Sequence, residues 1–351
     1  MDADERRELA AFLHSYRGRP LRLMEVCGTH TSALRRTGVR QLLPENVAML
    51  SGPGCPVCVT PTAYIDRLVR YALTPGCRVL SFGDMLAVPG SEMSLAGARA
   101  RGGSVGFFYA PEQALEIAGR EPGTRFILAA VGFETTAPVW AAVAEEVLSS
   151  GLRNVKLLTA LKTMPAAMDS LCASGRIDGF LCPGHVAVVT GSEAFRPLAE
   201  KWRRPMVVGG FTGGLLLAAL CRLVREASAG NGGLWNEYPQ FVRPEGNPRA
   251  KEAVARAFEP GPACWRGLGT LADSGLYLRG AYAALDAGSR GLDDDRAPEG
   301  CRCGNVLRGE LEPRRCPLFG GACAPEHPAG ACMVSQEGAC RIAYLESGDC
   351  R

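Results

Sequence analysis

From Leu21 to about Glu226 the chain alternates short apolar runs rich in Val, Ile, Leu and Phe with longer amphipathic stretches, and nothing else in it narrows the fold as far. Short β-type runs separated by helix-length segments are the mark of strands joined by crossover helices, so the pattern predicts an α/β fold with mostly parallel sheets. The runs are 21–26, 47–51, 78–82 and 104–108, then 125–131, 155–160, 179–182 and 206–208, two sets of four. Helices fit the gaps at 61–73, 111–119, 137–149, 165–174 and 213–226, several opening on Pro or a hydroxyl residue as first turns prefer. The simplest architecture is two similar α/β domains, residues 1–121 and 122–230, meeting near Arg120–Gly123, although no close sequence repeat relates them. After Gly230 the texture turns to Gly, Pro and aromatic residues over 231–248, with a helix at 250–258 and an irregular stretch beyond it. A Gly- and Asp-rich link, 288–300, completes a loop-rich third domain, 231–351.

The 39 Lys and Arg nearly balance the 36 Asp and Glu of 351 residues, which removes the basic signature of a nucleic-acid binder. The first 22 residues are charged and helix-like, unlike a secretory leader, and this predicts a cytoplasmic protein. The longest uncharged run, 46–65, has the length of a membrane span but carries Pro53, Pro56 and Pro61, so no membrane segment is expected. Of 15 cysteines, eight lie in the first 300 residues and seven in the last 51. In a reducing compartment such crowding points to metal or redox chemistry rather than to a disulfide framework.

Four constellations carry chemistry. Cys27-Gly28-Thr29-His30-Thr31 follows the first predicted strand, where an open α/β sheet gathers its ligands and a helix start offers free amides. A cysteine there is expected to have a lowered pKa and to serve as nucleophile or soft metal ligand, the alternative being a small buried residue. Gly52-Pro53-Gly54-Cys55-Pro56-Val57-Cys58 follows the second strand; two cysteines two residues apart form a redox dithiol or one half of a zinc site. Asp84 in Gly83-Asp84-Met85, Glu134 in Gly132-Phe133-Glu134-Thr135-Thr136, and His185 in Pro183-Gly184-His185-Val186 sit at further strand ends, so Cys27, Cys55, Cys58, Asp84, Glu134 and His185 are expected to face one cleft. Cys301, Cys303, Cys316, Cys323, Cys332, Cys340 and Cys350 form the last group, whose wide uneven gaps suit an iron–sulfur cluster better than zinc. Cys77, Cys172, Cys182, Cys221 and Cys264 have no partner pattern and read as packing residues, and His14 and His327 receive no role.

Taken in order, these motifs resemble one family, the [NiFe]-hydrogenase maturation factors called HypD, over nearly the whole chain. The resemblance implies a scaffold on which iron carrying two cyanides and one carbon monoxide, Fe(CN)2CO, is assembled. It implies as partners a small HypC-type chaperone and a HypE-type cyanide donor. On that reading Cys27 is the iron ligand, shared with a chaperone cysteine, and His30 is its neighbour; Cys55 and Cys58 form a redox-active dithiol, similar to that of ferredoxin-thioredoxin reductases. The family's [4Fe-4S] cluster is held by four cysteines with gaps of 14, 6 and 16, a spacing that Cys301, Cys316, Cys323 and Cys340 reproduce, with Cys303 and Cys332 in reserve and Cys350 without a role. The anionic iron group would be met by amides of the glycine-rich loops, Gly28 and Thr29 in one and Gly52 and Gly54 in the other. Two other classes remain: an iron–sulfur oxidoreductase that reduces a partner's disulfide through Cys55 and Cys58, and a zinc-dependent interaction module.

Overall fold

The computed structural model describes residues 2–348. Eleven strands run in chain order as β1 (Leu21–Glu25), β2 (Val47–Ser51), β3 (Cys77–Ser81), β4 (Val105–Phe107), β5 (Arg125–Gly132), β6 (Val155–Lys162), β7 (Gly179–Pro183), β8 (Pro205–Gly209), β9 (Gly233–Asn236), β10 (Phe258–Trp265) and β11 (Gly269–Leu278). The first eight coincide with the eight apolar runs. They form two sheets, one ordered β2-β1-β7-β8-β9 and wholly parallel, the other ordered β10-β11-β6-β5-β3-β4 and parallel except where β11 joins β10 and β6. The fold is therefore α/β with two mostly parallel sheets and a cysteine-rich C-terminal region.

Sheet membership does not follow the division expected at residues 121 and 122. β3 and β4 leave the first sheet to pair with β5, while β7 and β8 return to flank β1. Alternating apolar runs specify that strands form, but not which neighbour each one takes. Nor do residues 231–348 form a separate third body: β9 completes the first sheet, β10 and β11 complete the second, and the loop-rich stretches, 237–247, 286–302 and 308–330, run between them and after them. β10 escaped notice because Pro260, Gly261 and Pro262 break its apolar pattern; as the outermost strand of its sheet it tolerates residues that cannot donate to a ladder.

The link at 288–300 is a clamp rather than a solvated tether. The helix Thr62–Ala72 starts on Pro61, which offers no side-chain cap, and Asp295 supplies one by accepting from the Thr62 amide and hydroxyl at 3.4 and 3.2 Å. The same carboxylate accepts from the Gly267 amide at 2.9 Å, so it ties this helix to the β10–β11 turn. Beyond the link, Cys303, Val306, Leu307, Cys332 and Met333 pack into one core with Met24, Val26 and Phe180 of the first sheet. Among the described residues no helix is long and apolar enough to cross a membrane.

Candidate functional site: a two-sheet cleft and a sulfur-lined cavity

Parallel strands deliver their carboxyl ends to one edge, and here both sheets present that edge to the same space. A cavity of about 800 Å3 is lined by residues following β1, β2, β3, β4, β5 and β7, among them Cys27, Thr29, Gly54, Val57, Asp84, Tyr109, Thr135 and His185, with Glu337 reaching in from the C-terminal region. Ligand sites at such strand ends are the rule for open α/β sheets.

Cys27 stands at the start of the helix Gly28–Thr37. The Gly28 amide donates to the Gly54 carbonyl at 3.0 Å, joining the Cys27 turn to the Cys55–Cys58 loop, and a Cβ on Gly54 would lie 2.2 Å from the Cys27 nitrogen, so only glycine permits this approach. The expected lowering of the Cys27 pKa is not found. Burial pushes the thiol up to about 12, the Glu25 and Glu337 carboxylates add to that, and the His30 and Thr29 amides offset only part. Desolvation outweighs the helix start because Cys27 is buried, 8 % exposed, not free at a loop tip.

Three further expectations are corrected. Glu134 does not face the cleft, although Phe133 and Thr135 on either side of it do. Its Oε1 accepts from the Met164 amide at 2.8 Å, where a helix begins, while Oε2 is buried without a hydrogen-bond partner, and burial raises its pKa to about 7. His30 does not line the cleft either: its Nε2 lies 3.2 Å from both the Gly209 and Gly210 carbonyl oxygens and its Nδ1 is buried without a partner. Burial lowers its pKa to about 4. Finally, Gly54, Pro56 and Val57 line the cleft, but Cys55 and Cys58 do not and are buried residues, 3 % and 0 % exposed. The Cys58 amide donates to Cys55 Sγ at 3.3 Å, and Cys58 Sγ faces the Ala331 carbonyl and the Cys332 sulfur. Asp84 and His185 do line the cleft. The His185 ring stacks on Phe211 at 3.8 Å, with the His30 ring on the same phenyl at 4.5 Å. Burial lowers the His185 pKa, against a smaller pull from Glu337.

Two acids at the site escaped sequence reasoning. Glu25, buried at the end of β1, accepts from the Cys27 amide at 2.8 Å and from the Thr31 hydroxyl; burial brings its pKa to about 7. A carboxylate closing an apolar strand was the signal for it. Glu337 gave none, being more than three hundred residues from the turn it touches.

The second feature is a small cavity lined by Cys301, Cys303, Cys316, Cys323 and Cys340 together with Leu318, Phe319 and Met333. All four cysteines of the 14, 6 and 16 spacing are in that wall. No group of three or more His, Cys, Asp or Glu side chains among the described residues forms a site for a single metal ion, whereas a ring of thiols around apolar residues is the donor set a cluster takes. Cys303 Sγ lies 3.2 Å from Cys301 Sγ and also contacts the Cys332 and Cys340 sulfurs, and Cys332 in turn meets Cys58. Sulfur atoms therefore run without a break from the Cys55–Cys58 loop to the cavity. Cys350 lies outside the described residues.

This architecture defines an α/β protein with a cysteine in a two-sheet cleft, a buried CxxC loop hydrogen-bonded to that cysteine's turn, and a cysteine-lined cavity beyond the loop. Residues 5–346 match a family model described as "HypD: Hydrogenase formation hypA family". The chain is 41% identical over 338 residues to the hydrogenase maturation factor HypD of Azotobacter vinelandii, covering 93% of this chain and 89% of that protein. It is 40% identical over 348 residues to the HypD of Escherichia coli strain K12 (96% and 92% covered) and 39% over 343 to that of Rhodobacter capsulatus (95% and 91%). The chain belongs to the HypD family, and its role lies in hydrogenase maturation.

Proposed function

We propose that the protein is the scaffold on which the Fe(CN)2CO group of a [NiFe] hydrogenase is assembled, with iron as cargo on Cys27. One observation carries this reading: a lone thiol in an 800 Å3 cleft backs directly onto a CxxC loop whose sulfurs continue into a cysteine-ringed cavity. Low-spin iron bearing cyanide and carbonyl is soft and suits a thiolate. Because the Cys27 thiol is held protonated, iron binding must displace that proton. The amides of Gly28, Gly52 and Gly54 donate to the Gly54, Glu25 and Gly52 carbonyls and so, contrary to expectation, are not free for the anionic group, whereas the Thr29 amide is directed at the Cys27 sulfur. The 800 Å3 cleft would receive the second thiolate of a HypC-type chaperone and a HypE-type cyanide donor.

Cys301, Cys316, Cys323 and Cys340 would hold the [4Fe-4S] cluster, which when bound supplies single electrons. Conversion between dithiol and disulfide at Cys55 and Cys58 moves two electrons and two protons together, and Cys332 and Cys303 lie between that loop and the cavity. Burial of both CxxC residues, 3 % and 0 % exposed, argues against the oxidoreductase alternative, since a partner's disulfide would have to reach them.

The test is coexpression with the chaperone followed by infrared spectroscopy. Cyanide and carbonyl stretching bands are expected in the wild type and absent in Cys27→Ala; bands unchanged in the variant would take the iron off Cys27.

A further inference from the structure

The loop between Cys332 and Cys340 touches both the cleft, through Glu337, and the sulfur cavity, through Met333 and Cys340. Its ends are sulfurs: Cys332 meets Cys58 and Cys303, and Cys340 lines the cavity. Its tip is pinned to the cleft wall. Ser335 Oγ donates to Asp84 Oδ2 at 3.2 Å, Thr29 Oγ1 donates to Glu337 Oε1 at 2.7 Å, and Glu337 lies on Gly28, where a Cβ would fall 2.5 Å from its own. Within the loop the Gly338 amide donates to the Ser335 carbonyl at 2.9 Å, the Glu337 amide to Ser335 Oγ at 3.3 Å, and the Ile342 amide to the Gly338 carbonyl at 3.0 Å. A loop so short and internally bonded has little slack, so a shift at either sulfur end is felt at the tip. The tip packs on Gly28 and Thr29 next to Cys27, a residue that is 8 % exposed, and shares the cleft lining with it.

We propose that this loop is a strap coupling the sulfur-lined cavity to Cys27: with Cys332 and Cys340 held in place, Glu337 closes the cleft floor over the thiol, and release of the cavity's sulfurs lifts it. Glu337 is then a positioning residue that acts through Thr29, and Asp84 is the strap's second anchor. The inference rests on the reading of Cys27 as the iron site and of the cavity as the cluster site. It requires two arrangements of one physical element, biased from two places, which is what coupling between sites means.

Timed iodoacetamide labelling of the purified full chain, read at Cys27 by mass spectrometry, tests it. The Ser335→Ala/Glu337→Ala double variant should label Cys27 about tenfold faster than wild type, the scale of losing a hydrogen bond to a charged acceptor. Glu337→Gln, whose carbonyl still accepts from Thr29 but which removes the negative charge beside Cys27, should accelerate labelling less than the double variant, and Ser335→Ala alone should likewise show a smaller acceleration. Cys340→Ser, or wild type stripped of iron by a chelator, should accelerate labelling with the tip residues intact. An unchanged Cys27 rate in the double variant with a wild-type circular dichroism spectrum, or in the stripped protein, overturns the strap. Labelling needs no iron-cyanide cargo, so missing infrared bands would sink the scaffold reading and leave this result standing.

Discussion

At the scale of single residues, the molecule keeps acids and thiols protonated by burial. Glu134 is the clearest case away from any metal ligand. Unfolded, its carboxyl ionises near 4.5; folded, it holds its proton until about 7. Between those values the native state binds more protons than the unfolded one, so the stability this group contributes is full below 4.5 and is lost as pH rises through 7, by about 3 kcal/mol at most. Glu134→Gln keeps an oxygen for the Met164 amide and removes the charge. Its unfolding free energy in urea is expected to match wild type at pH 5 and to exceed it by roughly 1–3 kcal/mol at pH 8; an equal difference at both would place the proton elsewhere. The motifs around Cys27, Asp84, His185 and the C-terminal cysteines were legible because residue type and strand-end position suffice to find them. Side-chain direction was not: Glu134 sits between two cleft residues yet turns to a helix start, and His30 turns to the carbonyls after β8.

At the scale of elements, the eight strands of the first 230 residues and five of their helices could be read from periodicity, since both faces of a parallel sheet are covered and its strands are continuous apolar runs, whereas the short helices Leu95–Ala100, Gly184–Thr190 and Arg196–Trp202 could not. The Asp293–Asp295 run could not, because an acidic stretch looks solvated until the element it caps is known. Asp295→Ala should loosen the first turn of Thr62–Ala72 and cost about 1–2 kcal/mol, as loss of a helix cap does. Faster hydrogen exchange at the amides of Thr62 and Gly267, with the rest of that helix unchanged, is the signature to look for. Gly54→Ala is expected to be more damaging, roughly 2–4 kcal/mol in thermal unfolding, because the clash is with Cys27 backbone that cannot step aside.

At the scale of the whole molecule, a cluster in the cavity would, on the proposed reading, order the C-terminal segment. Five thiols around Leu318, Phe319 and Met333 leave residues 301–348 with few regular elements of their own, so removing the cluster should raise hydrogen exchange there while both sheets stay protected. Protection unchanged after removal would show that the protein scaffold alone orders the segment. The order of strands within the sheets has a consequence for synthesis. β1 pairs with β7 from residue 23 to residue 179, while β3 to β6, made in between, already assemble the other sheet. A ribosome therefore releases the second sheet's parallel core before the first can close, and the early ribbon of β1 and β2 must wait with its inner edge bare. A cut near residue 121 would part β3 and β4 from β5 and leave β1 without β7, so truncation and heterologous production have to respect the interleaving of the two sheets.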